Sequence, residues 1–103
     1  MLVLPIKGVW YKMILADVKK EEYRARSRYY IKRFETACGK DIETAIREQT
    51  SFDILLRNGY AKNCPTIRAQ VHLRLGYGRP EWGAEEGVSY FILCIEKYEE
   101  VTK

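Results

Sequence analysis

The chain has little of what a metal centre or a nucleophilic triad is built from. A single histidine, His72, serves 103 residues, which argues against a His-based metal site or a Ser-His-Asp triad. The cysteines, Cys38, Cys64 and Cys94, are odd in number, widely spaced and form no CxxC pair. A disulfide framework or zinc site is therefore not expected, and reduced thiols in a cytoplasmic setting are the simpler reading. No metal and no cofactor is predicted. No apolar run approaches the roughly 20 residues needed to span a bilayer. The opening Met-Leu-Val-Leu-Pro-Ile-Lys lacks the basic and apolar regions of a signal peptide. No membrane partner is expected either.

What is present is the composition of one ordinary globular domain spanning residues 1–103, with 47% hydrophobic and 31% charged side chains. The unusual feature is where the charge lies. From Val18 to Arg33 there are seven Lys or Arg against two Glu, a local balance of +5; the other residues carry eleven basic and twelve acidic side chains, a balance of −1. The whole excess of +4 thus originates in one window, and a ligand is expected near it.

The pattern along the chain predicts alternating strands and helices. Leu2 to Ile6 reads as a strand whose Pro5 requires an edge or bulge. Trp10, Met13 and Ile14 give the i, i+3, i+4 stripe of a short helix over Val9 to Ala16, with Trp10 expected in the core or as a cleft wall. A short strand follows at Glu21 to Ala25. Ser27 is a candidate N-cap for a second helix striped by Tyr30, Ile31, Phe34, Ala37 and Cys38, and Gly39 is placed to end it. Asp41 to Gln49 is a helix or loop.

Phe52 to Leu56 reads as a buried strand running into an Arg57-Asn58-Gly59-Tyr60 turn. Thr66 to Leu75 alternates strictly, with Ile67, Ala69, Val71, Leu73 and Leu75 on one face. His72 falls on the other face and is expected at the surface. Gly76 to Pro80 breaks that strand, and Glu81 to Gly87 forms a loop over something. Val88 to Ile95 is a central strand, and Glu96 to Lys103 a frayed end. The order suggests an α+β fold: a small β-barrel flanked by short helices.

Within the basic window, Lys19, Glu22 and Arg24 carry the chemistry. On a strand Glu22 and Arg24 share a face, so a guanidinium can hold a carboxylate and present it to a polar ligand. Tyr23, Tyr29, Tyr30 and Phe34 interleave the basic residues, as in surfaces that stack bases while Lys and Arg take phosphates. The plainer alternative is a solvated strand edge with local ion pairs. Lys20 and Glu21 are expected to be solvated neighbours.

The spacing Lys19-x-x-Glu22-x-Arg24 resembles the core of the G-x-K-x-x-E-x-R motif of ASCH domains, small members of the PUA-like superfamily. The resemblance extends to the Trp-containing helix before it, the Arg28-Tyr-Tyr-Ile-Lys-Arg-Phe34 helix after it, the Arg57 to Tyr60 turn, and the Glu81-Trp-Gly83 segment ahead of a strand with Tyr90. Asp17 stands where the motif has glycine. The resemblance implies a PUA-like pseudo-barrel with a cleft lined by Lys19, Glu22, Arg24, Arg57, Asn58, Trp82 and Tyr90. Arg26, Arg28, Lys32 and Arg33 would lie along a nucleic-acid backbone, and the expected partner is RNA or a nucleotide or nucleoside. Some short relatives in the family look like amidohydrolases that deacetylate N4-acetylcytidine with a lysine, a threonine and a glutamate. The lysine matches Lys19, but Glu22 takes the threonine's place and supplies no hydroxyl nucleophile. If the protein is an enzyme, Lys19 and Glu22 are the catalytic candidates, with Glu85, Glu86 or Glu96 as acidic partner. A protein-interaction module is the third alternative.

Overall fold

A computed structural model describes residues 1–101. Its elements follow in the order β1 (Leu2–Ile6), α1 (Gly8–Leu15), β2 (Glu21–Ala25), α2 (Arg28–Cys38), α3 (Ile42–Arg47), β3 (Phe52–Asn58), β4 (Thr66–Tyr77), a 3-10 turn (Pro80–Trp82) and β5 (Ser89–Glu100). The strands form one five-stranded mixed sheet in the order β1-β3-β4-β5-β2. β1 runs parallel to β3, and every other pairing is antiparallel. β1 and β2 therefore terminate opposite ends of the sheet. The sheet curls until they face one another, because Arg24 of β2 donates from Nη2 to the Pro5 carbonyl of β1 over 3.1 Å. The result is an α+β half-barrel with short helices. No helix among the described residues is long and apolar enough to cross a membrane.

Local chemistry explains most boundaries. Ser27 caps α2 by accepting the Tyr30 N–H at 3.3 Å, and Gly39 closes it in the left-handed region at φ +75°. Asp41 accepts the Thr44 N–H at 3.0 Å and so turns the expected helix-or-loop segment into α3. Pro5 occupies an edge strand, where its missing N–H costs no ladder bond.

The core lies on the inner side of the curl. Leu4, Ile14, Phe34, Ile54, Leu56, Ile67, Val71, Leu73 and Leu93 are almost fully buried there. A smaller apolar cluster, centred on Tyr23, Ala84 and Ile92, sits apart from it. Tyr23 and Ile92 are direct cross-strand partners of β2 and β5 and so share a face of the sheet. The next pairs along, Glu22 with Leu93 and Arg24 with Phe91, face the opposite way, towards the main core.

Four expectations about the strands need correction. β4 does not break at Gly76 but continues to Tyr77, because Gly76 and Tyr77 still pair with Tyr90 and Ser89. Leu75, expected on the buried face, is 41% exposed although its cross-strand partner Phe91 belongs to the core. β3 runs on through Arg57 and Asn58 because both still pair with β1. Residues 96–100 are no frayed end: Lys97, Glu99 and Glu100 pair with Gln70, Arg68 and Ile67, and Glu100 accepts the Tyr11 hydroxyl at 2.7 Å. The remainder of that expected end, Thr102 and Lys103, lies outside the described residues. A bulge leaves Glu96 unmatched between the Gln70–Lys97 and Val71–Ile95 pairs. It re-aims the Glu96 carboxylate onto His72 Nδ1 at 2.7 Å, so His72 is half-buried and partnered.

Candidate functional site

The turn after α1 delivers Lys19 into the fold. Asp17 takes the left-handed conformation there, at φ 63°, which Asp tolerates better than most residues. Its carboxylate accepts from Lys20 at 3.1 Å and from the Tyr98 hydroxyl at 2.9 Å. Both bonds favour the ionised form and hold the Asp17 carboxyl below its ordinary value.

Lys19, Glu22 and Arg24 converge. Lys19 is 1% exposed, Glu22 6%, and the Arg24 side chain 14%. Lys19 Nζ donates to the Trp82 carbonyl at 2.6 Å. It lies 5.3 Å from the Trp10 ring centroid and 4.9 Å from that of Tyr23, a cation held against two aromatic rings. Its nearest carboxylate oxygen is Glu22 Oε1, at 3.8 Å. Arg24 Nη1 donates to that same oxygen at 3.2 Å and to the Tyr23 carbonyl at 2.7 Å. The Tyr23 N–H also donates to Glu22 Oε1, at 3.2 Å. The other carboxylate oxygen, Glu22 Oε2, is buried and has no hydrogen-bond partner. Buried polar atoms are nearly always satisfied, so this unpartnered acceptor beside two cations is an exception within the fold.

A strap formed by residues 78–87 covers this group from the Tyr23 side. Tyr23 Oη accepts the Arg79 N–H at 3.0 Å, and Tyr90 Oη accepts the Glu85 N–H at 3.0 Å. The Tyr23 and Tyr90 ring centroids lie 5.6 Å apart. At Gly83, with φ +105°, an added Cβ would press on the Trp10 indole at 3.1 Å. Trp82 thus engages Lys19 through its carbonyl, while Arg79 lies 4.7 Å over its ring. Trp10 is half-buried, with its indole against Gly83 and near Lys19 Nζ.

The other expected site residues divide. Tyr90 joins through Tyr23. Asn58 pairs with Ile6, next to the Pro5 that Arg24 grips. Arg57 turns away and donates to the Ala61 and Lys62 carbonyls at 2.6 and 3.1 Å, so it braces a loop. Arg26 donates to Ser89 Oγ, and Arg28 and Lys32 are exposed on α2. Arg33 reaches the Val3 carbonyl. Of the candidate acidic partners, Glu85 and Glu86 are exposed, and Glu96 is committed to His72 and Ser51. Glu21 is not a solvated neighbour: it accepts from Tyr23 Oη at 2.9 Å and from Arg74 Nη2 at 2.8 Å. Sequence reasoning gave Tyr23 no such role. Its place between Glu21 and Arg24 on a period-2 strand was the available signal.

Burial shifts two groups in opposite directions. Loss of water lowers the Lys19 pKa, only partly offset by Glu22, and burial raises that of Tyr23. In the folded state Lys19 releases its proton below its ordinary 10.5, so over that interval the unfolded chain binds more protons and stability rises with pH. Above about pH 10 the unfolded tyrosines ionise while Tyr23 stays protonated, and stability falls again. Urea unfolding across pH 7–11 is expected to show this rise and fall, and Lys19→Met to remove the rise. An unchanged alkaline profile in that variant would refute the assignment to Lys19.

Comparison of the chain with protein-family models, with curated proteins and with solved structures finds no match.

Proposed function

We propose that this protein is a nucleic-acid or nucleotide-binding module of the ASCH type with a PUA-like barrel, reading a nucleobase at the Lys19–Glu22–Arg24 group. The observation that carries the reading is the buried, unpartnered Glu22 Oε2. A nucleobase offers N–H donors on an edge that a carboxylate accepts, and flat faces that stack on aromatic rings. The Trp10 and Tyr23 rings flank Lys19, and Trp82 reaches it through its carbonyl. Arg26, Arg28, Lys32 and Arg33 follow directly in the chain, and among the described residues none of the four is in an ion pair. Cations with no carboxylate partner suit a phosphate backbone.

Filter binding of single-stranded RNA at low salt tests the reading. Affinity is expected to fall steeply with salt. Glu22→Gln preserves the side chain's shape but replaces one acceptor oxygen with a donor, and should weaken binding by about tenfold, the effect of roughly 1.4 kcal/mol. No binding at low salt, or an unchanged affinity in Glu22→Gln, would sink it.

A second reading has its own support in Lys19. A desolvated amine beside a carboxylate with an open oxygen suits proton transfer, with Glu22 drawing a proton from water as it attacks an amide carbonyl. The N4-acetyl group of N4-acetylcytidine would then leave as acetate and release cytidine. Incubation with that nucleoside and chromatography for cytidine decides this, and no turnover removes it.

A further inference from the structure

The basic surface of α2 has a geometry that a ligand confined to the cleft would not use. Arg28 is the first residue of the helix, and the first turn holds no acidic side chain. A cation at that end opposes the helix dipole, so an anion brought there is favoured twice. The next residue, Tyr29, is 59% exposed. The Arg33 guanidinium carbon lies 5.4 Å from its ring centroid, and Arg33 Nη1 donates to its hydroxyl at 2.6 Å. Tyr30 meets the same ring in a T-shaped contact, with centroids 5.0 Å apart. Tyr29 is therefore an exposed flat ring fixed by two neighbours, with a cation beside it. Such a ring is the unit on which a single-stranded base stacks.

Its position relative to the cleft is set by β1. Arg33 Nη2 donates to the Val3 carbonyl at 3.3 Å and Arg24 Nη2 to the Pro5 carbonyl at 3.1 Å. Two residues along a strand is about 6.6 Å, so one arginine of the cleft and one of the helix surface grip neighbouring points of the same edge. Through these two arginines the edge of β1 links Glu22, held by Arg24, to Tyr29, held by Arg33.

We infer that the ligand is a single RNA strand and not a free nucleoside, with a second base stacked on the Tyr29–Arg33 pair and its phosphates on Arg26, Arg28 and Lys32. This rests on the cleft reading above and adds a length requirement to it. Fluorescence anisotropy with octacytidylate and octauridylate, against the matching 5′-mononucleotides, tests it. The octamer is expected to bind at least tenfold more tightly, with a salt slope of about −2.1 if those three cations are neutralised, at about −0.7 each. Tyr29→Ser should cost the octamer roughly 5- to 150-fold, the range for loss of one base–aromatic stack. Tyr29→Phe keeps the ring and should keep most of the affinity. Equal affinity for octamer and mononucleotide, or an octamer affinity indifferent to Tyr29→Ser, overturns the inference while leaving the cleft reading standing. Failure of both ligands to bind overturns the two together.

Discussion

Replacing Arg24 with alanine should lower the unfolding free energy by about 3–5 kcal/mol, the cost of removing one partner of a buried ion pair. The guanidinium makes three bonds: to Glu22 Oε1, to the Tyr23 carbonyl and, across the seam, to the Pro5 carbonyl. Without it a carboxylate already lacking a donor on one oxygen keeps only the Tyr23 N–H and the more distant Lys19. Lysine at position 24 cannot fork to three acceptors and should recover only part of the loss. The triple variant Lys19→Met/Glu22→Leu/Arg24→Met takes all three charges out of the interior together and should be more stable than Arg24→Ala, since apolar replacement of a whole buried charged group is often neutral. Urea unfolding followed by tryptophan fluorescence measures all three. A loss below 1 kcal/mol in Arg24→Ala would mean that the seam does not depend on this side chain. The same role makes lost RNA affinity in a variant of Arg24, or of its partner Glu22, informative only where the fold is checked by the same unfolding measurement.

Gly78→Ala should be the second most damaging substitution, at about 1–3 kcal/mol. An added Cβ there would stand 2.5 and 2.6 Å from atoms of the Tyr23 ring and 2.7 Å from the Ala84 methyl. Tyr23 and Ala84 are each 7% exposed, so neither can swing aside without opening the outer cluster. Gly76 provides the contrast. A Cβ at Gly76 would come within 2.7 Å of Arg74 Nη1, the far end of a flexible and half-exposed side chain that can give way. Gly76→Ala should therefore be mild. Amide hydrogen exchange at Arg79 and Glu85, whose N–H groups are held by Tyr23 and Tyr90, should quicken in Gly78→Ala and not in Gly76→Ala. Equal effects from the two would refute the close-packed strap.

How much of this was legible in the sequence depends on whether the deciding contact was local. Ser27, Gly39 and Asp41 act on residues within a turn of themselves, so the ends of α2 and the start of α3 follow from short-range rules. The alternation of Thr66 to Leu73 likewise reports one buried face. Residues 96–100 looked frayed because they are mostly charged, and what orders them is the distant β4 ladder and Tyr11. The Lys19–Glu22–Arg24 grouping was readable from its spacing, since two of its members share a strand face. Its burial was not. Charge-rich stretches usually lie in water, and only the meeting of β1 and β2 from opposite ends of the sheet encloses this one. Arg57 was misplaced for the same reason: its partners lie in a loop that no periodicity describes.

The seam has one further consequence. A curled but unclosed sheet would ordinarily expose two rows of unpaired backbone groups, a template for addition of foreign strands and for aggregation. Here β1 offers proline at position 5, which has no N–H to donate, and its Val3 and Pro5 carbonyls are occupied by Arg33 and Arg24. On β2, the Tyr23 N–H and carbonyl are taken by Glu22 and Arg24. Charged side chains have replaced the missing strand, and the barrel's opening is closed to polymerisation without being closed by hydrogen-bonded backbone.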